Sequence, residues 1–160
     1  LATVIFDLTV AIIIGVLFSV VMFVLKVSDM TVTISRVDAE KLGVDGEKAK
    51  KYSSTRVAYI TGPLYFGTAS KLAEKLRPLD EEEEDIVIFS MRGVPLADIS
   101  GIQALQELCM HLSEQGTQIY FTCVQPPVME MFDRCGLKDT YSDDSFYWST
   151  DKALADIAEM

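Results

Sequence analysis

The sequence predicts an α/β domain, built on a mixed, largely parallel β-sheet flanked by helices and preceded by one transmembrane helix. Three observations predict it. Leu8 to Leu25 (LTVAIIIGVLFSVVMFVL) carries no charge. After Lys26, short apolar runs of strand length alternate with amphipathic runs of helical length. Gly and Pro punctuate the joints between them.

The first run is long enough for lipid. Its 18 residues would rise about 27 Å as a helix, close to the roughly 30 Å hydrocarbon core of a bilayer. It is apolar on all sides and bracketed by Asp7 and Lys26, with Gly15 and Ser19 four apart as a small-xxx-small pair. A secretory signal peptide would need a basic start, a shorter apolar core and a small-residue cleavage site, and none is present. The bland alternative is a buried core helix, which the following residues would have to wrap completely. Lys26, Arg36 and Lys41 follow the run, which by the positive-inside rule puts the C-terminal side in the cytosol. A lone span at residue 1 leads to the expectation of a longer, multispanning chain.

Beyond it, Thr31–Val37 alternates like a half-exposed strand, and Val44–Ser54 reads as a surface connection. Arg56–Thr61 is a strand closed by Gly62-Pro63, and Thr68–Arg77 a helix ended by Pro78. Asp80–Asp85 is an acidic run, read as a solvated loop rather than a cation or partner site. Asp85–Met91 is apolar enough for a strand covered on both faces. A helix follows at about Ser100–Gln115, with Ile102, Leu105, Leu108, Cys109 and Leu112 buried and Gly116 as its stop. Gln118–Val124 is the next strand, and Pro127 starts a short helix reaching Gly136. Phe146–Trp148 reads as an edge strand, and Ser149 or Thr150 caps a final helix. The organisation is thus residues 1–27 membrane helix, 28–54 connection with a first strand, and 55–160 the α/β domain. Strands alternating with helices imply right-handed crossovers and a mostly parallel sheet.

Composition narrows the function. The net charge of −10 argues against nucleic acid as a partner, which requires a basic footprint. Cys109, Cys123 and Cys135 are too scattered for a disulfide framework or, with the lone His111, for a zinc site. They fit a reducing compartment and imply no metal. No nucleophile elbow, Walker A loop or dinucleotide-binding loop is present. His111 lies about 16 Å along its own helix from Ser100, so the pair does not form a catalytic couple and His111 reads as a surface residue. A small hydrolase lacks every motif it would need, and no cofactor is implied.

One local constellation remains, Asp98-Ile99-Ser100-Gly101 between a buried strand and an amphipathic helix. Ser100 and Gln103 have the spacing of a capping box. The functional reading of the same loop is an anion-competent helix N-terminus with Ser100 as a phosphoacceptor.

These pieces carry a resemblance. Asp7–Asp29 looks like the final membrane span of the SulP family of anion transporters, which runs directly into a cytosolic STAS domain. Gly62-Pro63-Leu64-Tyr65-Phe66-Gly67 resembles the family's strand-to-helix "G-P-L-x-F" turn. Val94-Pro95-Leu96-Ala97-Asp98-Ile99-Ser100-Gly101-Ile102 resembles its "V-P-x-x-D-x-[ST]-G" loop. Val124-Gln125-Pro126-Pro127-Val128 with Cys135-Gly136-Leu137 resembles the "x-P-P-V…G-L" of a later helix. The resemblance implies a STAS-type sheet, no catalysis, and a regulatory or interaction role in a sulfate-permease-type transporter of the plasma membrane, residues 28–160 lying in the cytoplasm. Its implied partners are the membrane, the rest of the transporter, a second protomer and a cytosolic protein regulator. The short loop at 80–85 is more like bacterial members. Sulfate, bicarbonate and dicarboxylates all stay open as the anion. The rival expectation is a stand-alone anti-sigma factor antagonist regulated by phosphorylation at Ser100. Antagonists usually carry Ser or Thr at both middle loop positions, whereas the first is Ile99 here.

Overall fold

The computed structural model describes residues 8–27, 30–38, 46–81 and 84–159. Helix α1 is Leu8–Val27. Strand β1 (Thr31–Arg36), helix α2 (Glu47–Ser53), strand β2 (Thr55–Thr61), helix α3 (Phe66–Glu81) and strand β3 (Ile86–Gly93) follow. Helix α4 (Ile99–Glu114), strand β4 (Gln118–Thr122), helix α5 (Pro126–Arg134), the short α6 (Leu137–Thr140), strand β5 (Phe146–Tyr147) and helix α7 (Thr150–Glu159) complete the chain.

The strands form one sheet in the order β1-β2-β3-β4-β5. β1 runs antiparallel to β2, and the remaining neighbours are parallel. The sheet is therefore mixed and largely parallel, as the alternation of elements predicts. Crossovers of one hand that step the same way across a sheet deposit their helices on the same face. Accordingly α3, α4 and α5 share the larger core with Ala58, Ile60, Val87, Phe89, Ile119 and Phe121. The opposite pleats, Val57, Ile86, Ile88 and Tyr120, pack under Ala153 and Ile157 of α7. Neighbouring strand residues thus divide between two cores, which is why β3 reads as a continuous apolar run.

Four expectations are corrected. Pro78 lies inside α3 and does not end it. A proline forfeits one backbone bond, but Leu72, Leu76 and Leu79 are all essentially buried, and burying Leu79 carries the helix through a last turn. The expected connection 44–54 contains helix α2, anchored by buried Tyr52, whose hydroxyl donates to the Leu154 carbonyl at 3.1 Å; residues 44 and 45 of that segment lie outside the described residues. The acidic run is not uniformly a solvated loop. Asp80 and Glu81 belong to α3, residues 82–83 lie outside the described residues, and the Glu84 side chain is 7% exposed against Arg56 at 5%. The two form a buried ion pair, because a guanidinium withdrawn from water at the start of β2 requires a counter-charge. Finally, α4 begins at Ile99, one residue before the expected start.

Other details agree. The final helix is capped by Ser149, whose hydroxyl accepts the Lys152 N–H at 3.2 Å. Phe146–Tyr147 forms the brief edge strand, and α5 opens on paired prolines.

Helix α1 stands outside both cores, with Leu17, Phe18 and Phe23 60–67% exposed. Among the described residues, no helix is long and apolar enough to cross a membrane.

Candidate functional site

The sheet's parallel strands end at one edge, and the Asp98 loop sits there. Past Thr61 and Gly93 the β2 and β3 chains do not separate; their loops continue to pair. Gly62 N–H donates to Gly93 O at 2.9 Å, Leu64 N–H to Leu96 O at 3.0 Å, and Asp98 N–H to Leu64 O at 2.8 Å. Leu64 and Ala97 form a parallel bridge. Gly62 makes the turn possible, at φ 109°, where a side chain would be strained. Leu64 is fully buried and pins both loops to the core.

Asp98 closes this junction with both carboxylate oxygens. Oδ1 accepts the Gly101 N–H at 2.8 Å, and Oδ2 accepts the Phe66 N–H at 3.1 Å. Asp98 is thus the N-cap of α4 and at the same time holds the first residue of α3. The positive ends of two helices converge on one intrinsic carboxylate, which suits both the free N–H groups and their partial charge. The expected Ser100–Gln103 capping box is therefore not formed. Asp98 outcompetes it because an ionised acceptor can serve two donors at once, whereas a hydroxyl at position 100 already lies in the first turn.

Gly101 is required by the same junction. A Cβ at this position would stand 2.5 Å from the backbone carbon and oxygen of Leu64. The motif Asp98-x-Ser100-Gly101 therefore divides its work: Asp98 staples, Gly101 permits the approach, and Ser100, partly exposed, is left out of the cap.

Along the same edge lies Arg92, between two open grooves of about 380 and 430 Å³. Its guanidinium donates to Cys123 Sγ at 3.7 Å, and its carbonyl accepts from the Gln125 amide at 3.3 Å. Cys123 has φ 56°, a left-handed backbone that ends β4 before Val124. Sequence reasoning missed Arg92, because a lone arginine at a strand end carries no periodic signal. It also missed Leu64 as the hinge of the junction, although that residue lies within the Gly62–Gly67 motif. His111 is 55% exposed at the far end of α4 and 4.0 Å from Glu114, which places it on the helix surface as expected. The three cysteines are unpaired, and burial pushes the Cys109 thiol far up from its ordinary value, partly offset by a hydrogen bond with Tyr141. Among the described residues, no group of three His, Cys, Asp or Glu side chains could hold a metal ion.

Fold and edge together define a class: a small mixed α/β domain that presents two stapled βα loops where its parallel strands end. The chain belongs to the STAS domain family, whose pattern matches residues 48–153; STAS domains are regulatory or interaction domains. A protein of Schizosaccharomyces pombe described as a probable sulfate permease is 26% identical over 99 residues, which is 52% of this chain and 15% of the permease. A sulfate transporter family protein from Wolinella succinogenes has a crystal structure matching at TM-score 0.59 and 26% identity, over 77% of this chain and 95% of that one. Two further structures share the fold at lower identity. The murine Slc26a9 anion transporter in the inward-facing state matches at TM-score 0.72 and 18% identity, over 99% of this chain and 27% of its own. An anti-sigma factor antagonist from Mycobacterium paratuberculosis matches at TM-score 0.61 and 15% identity, over 81% of this chain and 95% of its own. The chain therefore spans only a small part of the permease and of the murine transporter.

Proposed function

We infer that this chain is the last membrane span (1–27), the connection (28–54) and the cytosolic STAS domain (55–160) of a sulfate-permease-type anion transporter. The transporter lies in the plasma membrane, and the domain acts in regulation and contact, without catalysis. The observation that carries this reading is α1. It carries the uncharged run from Leu8 to Leu25, it has no polar stripe, and its large side chains face outward without packing onto the domain that follows. A helix apolar all round needs lipid or protein about it. The fold likeness to the murine transporter extends over 99% of this chain, so it takes in this helix as well as the domain. Lys26 and Arg36 support a cytosolic C-terminal side.

A second reading draws on Ser100. Its hydroxyl is partly exposed and free of capping duty, as a phosphoacceptor in a stand-alone antagonist would require. Such a protein has no use for an uncharged helix of this length, which favours the transporter.

Alkaline carbonate extraction separates the two. The whole chain, expressed in bacterial membranes, is expected to stay in the pellet, while residues 30–160 expressed alone are recovered soluble and folded. Recovery of the whole chain in the carbonate supernatant would sink the transporter reading.

A further inference from the structure

The groove of about 380 Å³ beside Arg92 is bordered by the ends of β2 and β3 and by the first turn of α7. Thr61, Ser90, Arg92, Thr150 and Asp151 line it. Local backbone geometry shapes it. Tyr59 pairs with Ser90 but Thr61 with Gly93, so β3 carries one residue more than β2 across this stretch. Such a bulge bends its strand and re-aims the side chains on it. Gly93 leaves Thr61 its place at the groove, since a Cβ there would stand 2.6 Å from Thr61 Oγ1.

Three polar side chains in this groove lack partners that match them. Ser90 is 4% exposed, yet among the described residues its hydroxyl has no hydrogen-bond partner. A buried hydroxyl left in that state is costly unless a ligand or water enters to bond it. The Arg92 guanidinium donates only to Cys123 Sγ, a weak acceptor at 3.7 Å, and to no carboxylate among the described residues. That is notable in a chain with 24 acidic residues. Asp151 lines the same groove, but no ion pair joins it to Arg92. A cation and an anion thus face one space without closing on each other.

We propose that this groove binds a compact oxyanion that still carries a proton, hydrogen phosphate or hydrogen carbonate. Arg92 supplies positive charge and paired planar donors. Ser90 adds a buried donor, and the start of α7 favours negative charge. Asp151 selects among oxyanions. An ionised carboxylate can only accept, so it repels an anion with bare oxygens and bonds one that presents an O–H. At neutral pH phosphate and hydrogen carbonate present that group, and sulfate does not. The inference rests on the α/β domain alone and is independent of what surrounds α1.

Isothermal titration of the whole chain in mild detergent, at neutral pH and fixed ionic strength, tests it with inorganic phosphate, hydrogen carbonate and sulfate in turn. Phosphate or hydrogen carbonate is expected to bind saturably, about tenfold or more tighter than sulfate. Which of the two binds tighter identifies the ligand. Arg92→Gln is expected to weaken binding about tenfold or more, the loss of a charged contact. Ser90→Ala is expected to weaken it several-fold. Asp151→Asn is expected to raise sulfate to the level of the other two or above, because an amide can donate to a bare oxygen. Arg92 and Asp151 are both exposed, so these two variants leave the core intact, and circular dichroism confirms their fold. Absence of saturable binding, affinity unchanged in Arg92→Gln, sulfate bound as tightly as either rival by the parent chain, or an order that Asp151→Asn leaves unchanged overturns the proposal.

Discussion

The Asp98 carboxylate holds the backbone N–H of Phe66 at 3.1 Å across a separation of 32 residues. With its other oxygen on Gly101, it joins the starts of two helices that the sequence places far apart. Asp98→Ala removes an acceptor from two helix-end donors and is expected to cost about 1–3 kcal/mol, a lost cap plus an unsatisfied N–H. Ser100→Ala, outside the cap, is expected to shift stability by less than about 0.5 kcal/mol. Urea unfolding of residues 30–160 followed by circular dichroism checks both. Equal costs for the two variants would return the capping role to Ser100.

Gly101 is where loop meets loop most closely. Because its Cβ would overlap the Leu64 backbone at 2.5 Å, Gly101→Ala must push the two stapled loops apart. The expected loss is about 1–3 kcal/mol or more, the cost of overpacking a site where rigid backbone cannot yield. Thermal unfolding measures it. A variant as stable as the parent would mean that the Leu64 junction opens freely.

How much of this was legible in the sequence follows from the range of the forces involved. The buried stripe of α4 could be read from Ile102, Leu105, Cys109 and Leu112, because periodicity is local. β3 could be read because both of its faces are covered. The motif Asp98–Gly101 could be located, but its division of labour could not. Capping-box spacing pointed to Ser100, and only the loop from Gly62 to Phe66, brought alongside by the parallel sheet, makes Asp98 the better acceptor. Glu84 was hidden for the same reason. Within an acidic run it looks solvated, and its partner Arg56 is contributed by a different strand.

That pair yields a third prediction. Arg56 and Glu84 are almost wholly withdrawn from water, with the exposed Arg36 3.9 Å from Glu84, so removing Glu84 takes a counter-charge away from a buried guanidinium. Glu84→Ala is expected to cost about 3–5 kcal/mol, while the double variant Arg56→Met/Glu84→Met recovers most of that loss. A double-mutant cycle in urea measures the coupling. Additive losses would show that the two charges are solvated independently of one another.

The last prediction concerns Cys109, which is fully buried in the core beneath α4, whereas Cys123 and Cys135 are partly exposed. Burial disfavours the thiolate and raises the Cys109 thiol's pKa far above the ordinary range. Ellman's reagent must reach the sulfur to react, so in the folded domain the partly exposed Cys123 and Cys135 are expected to be labelled. Cys109 is expected to wait for unfolding. The pH dependence has a definite sign. Above about pH 8.5 the unfolded thiol loses its proton while the folded one keeps it, so the folded state binds more protons. Stability conferred by the neutral buried thiol is therefore complete at neutral pH and falls as pH rises through the alkaline range. Replacing Cys109 with Ala should flatten that alkaline decline while costing core packing, and urea melts at pH 7 and pH 10 compare the two slopes. Rapid labelling of all three thiols in the folded domain, or an unchanged alkaline slope in Cys109→Ala, would show that Cys109 is not sealed in the core.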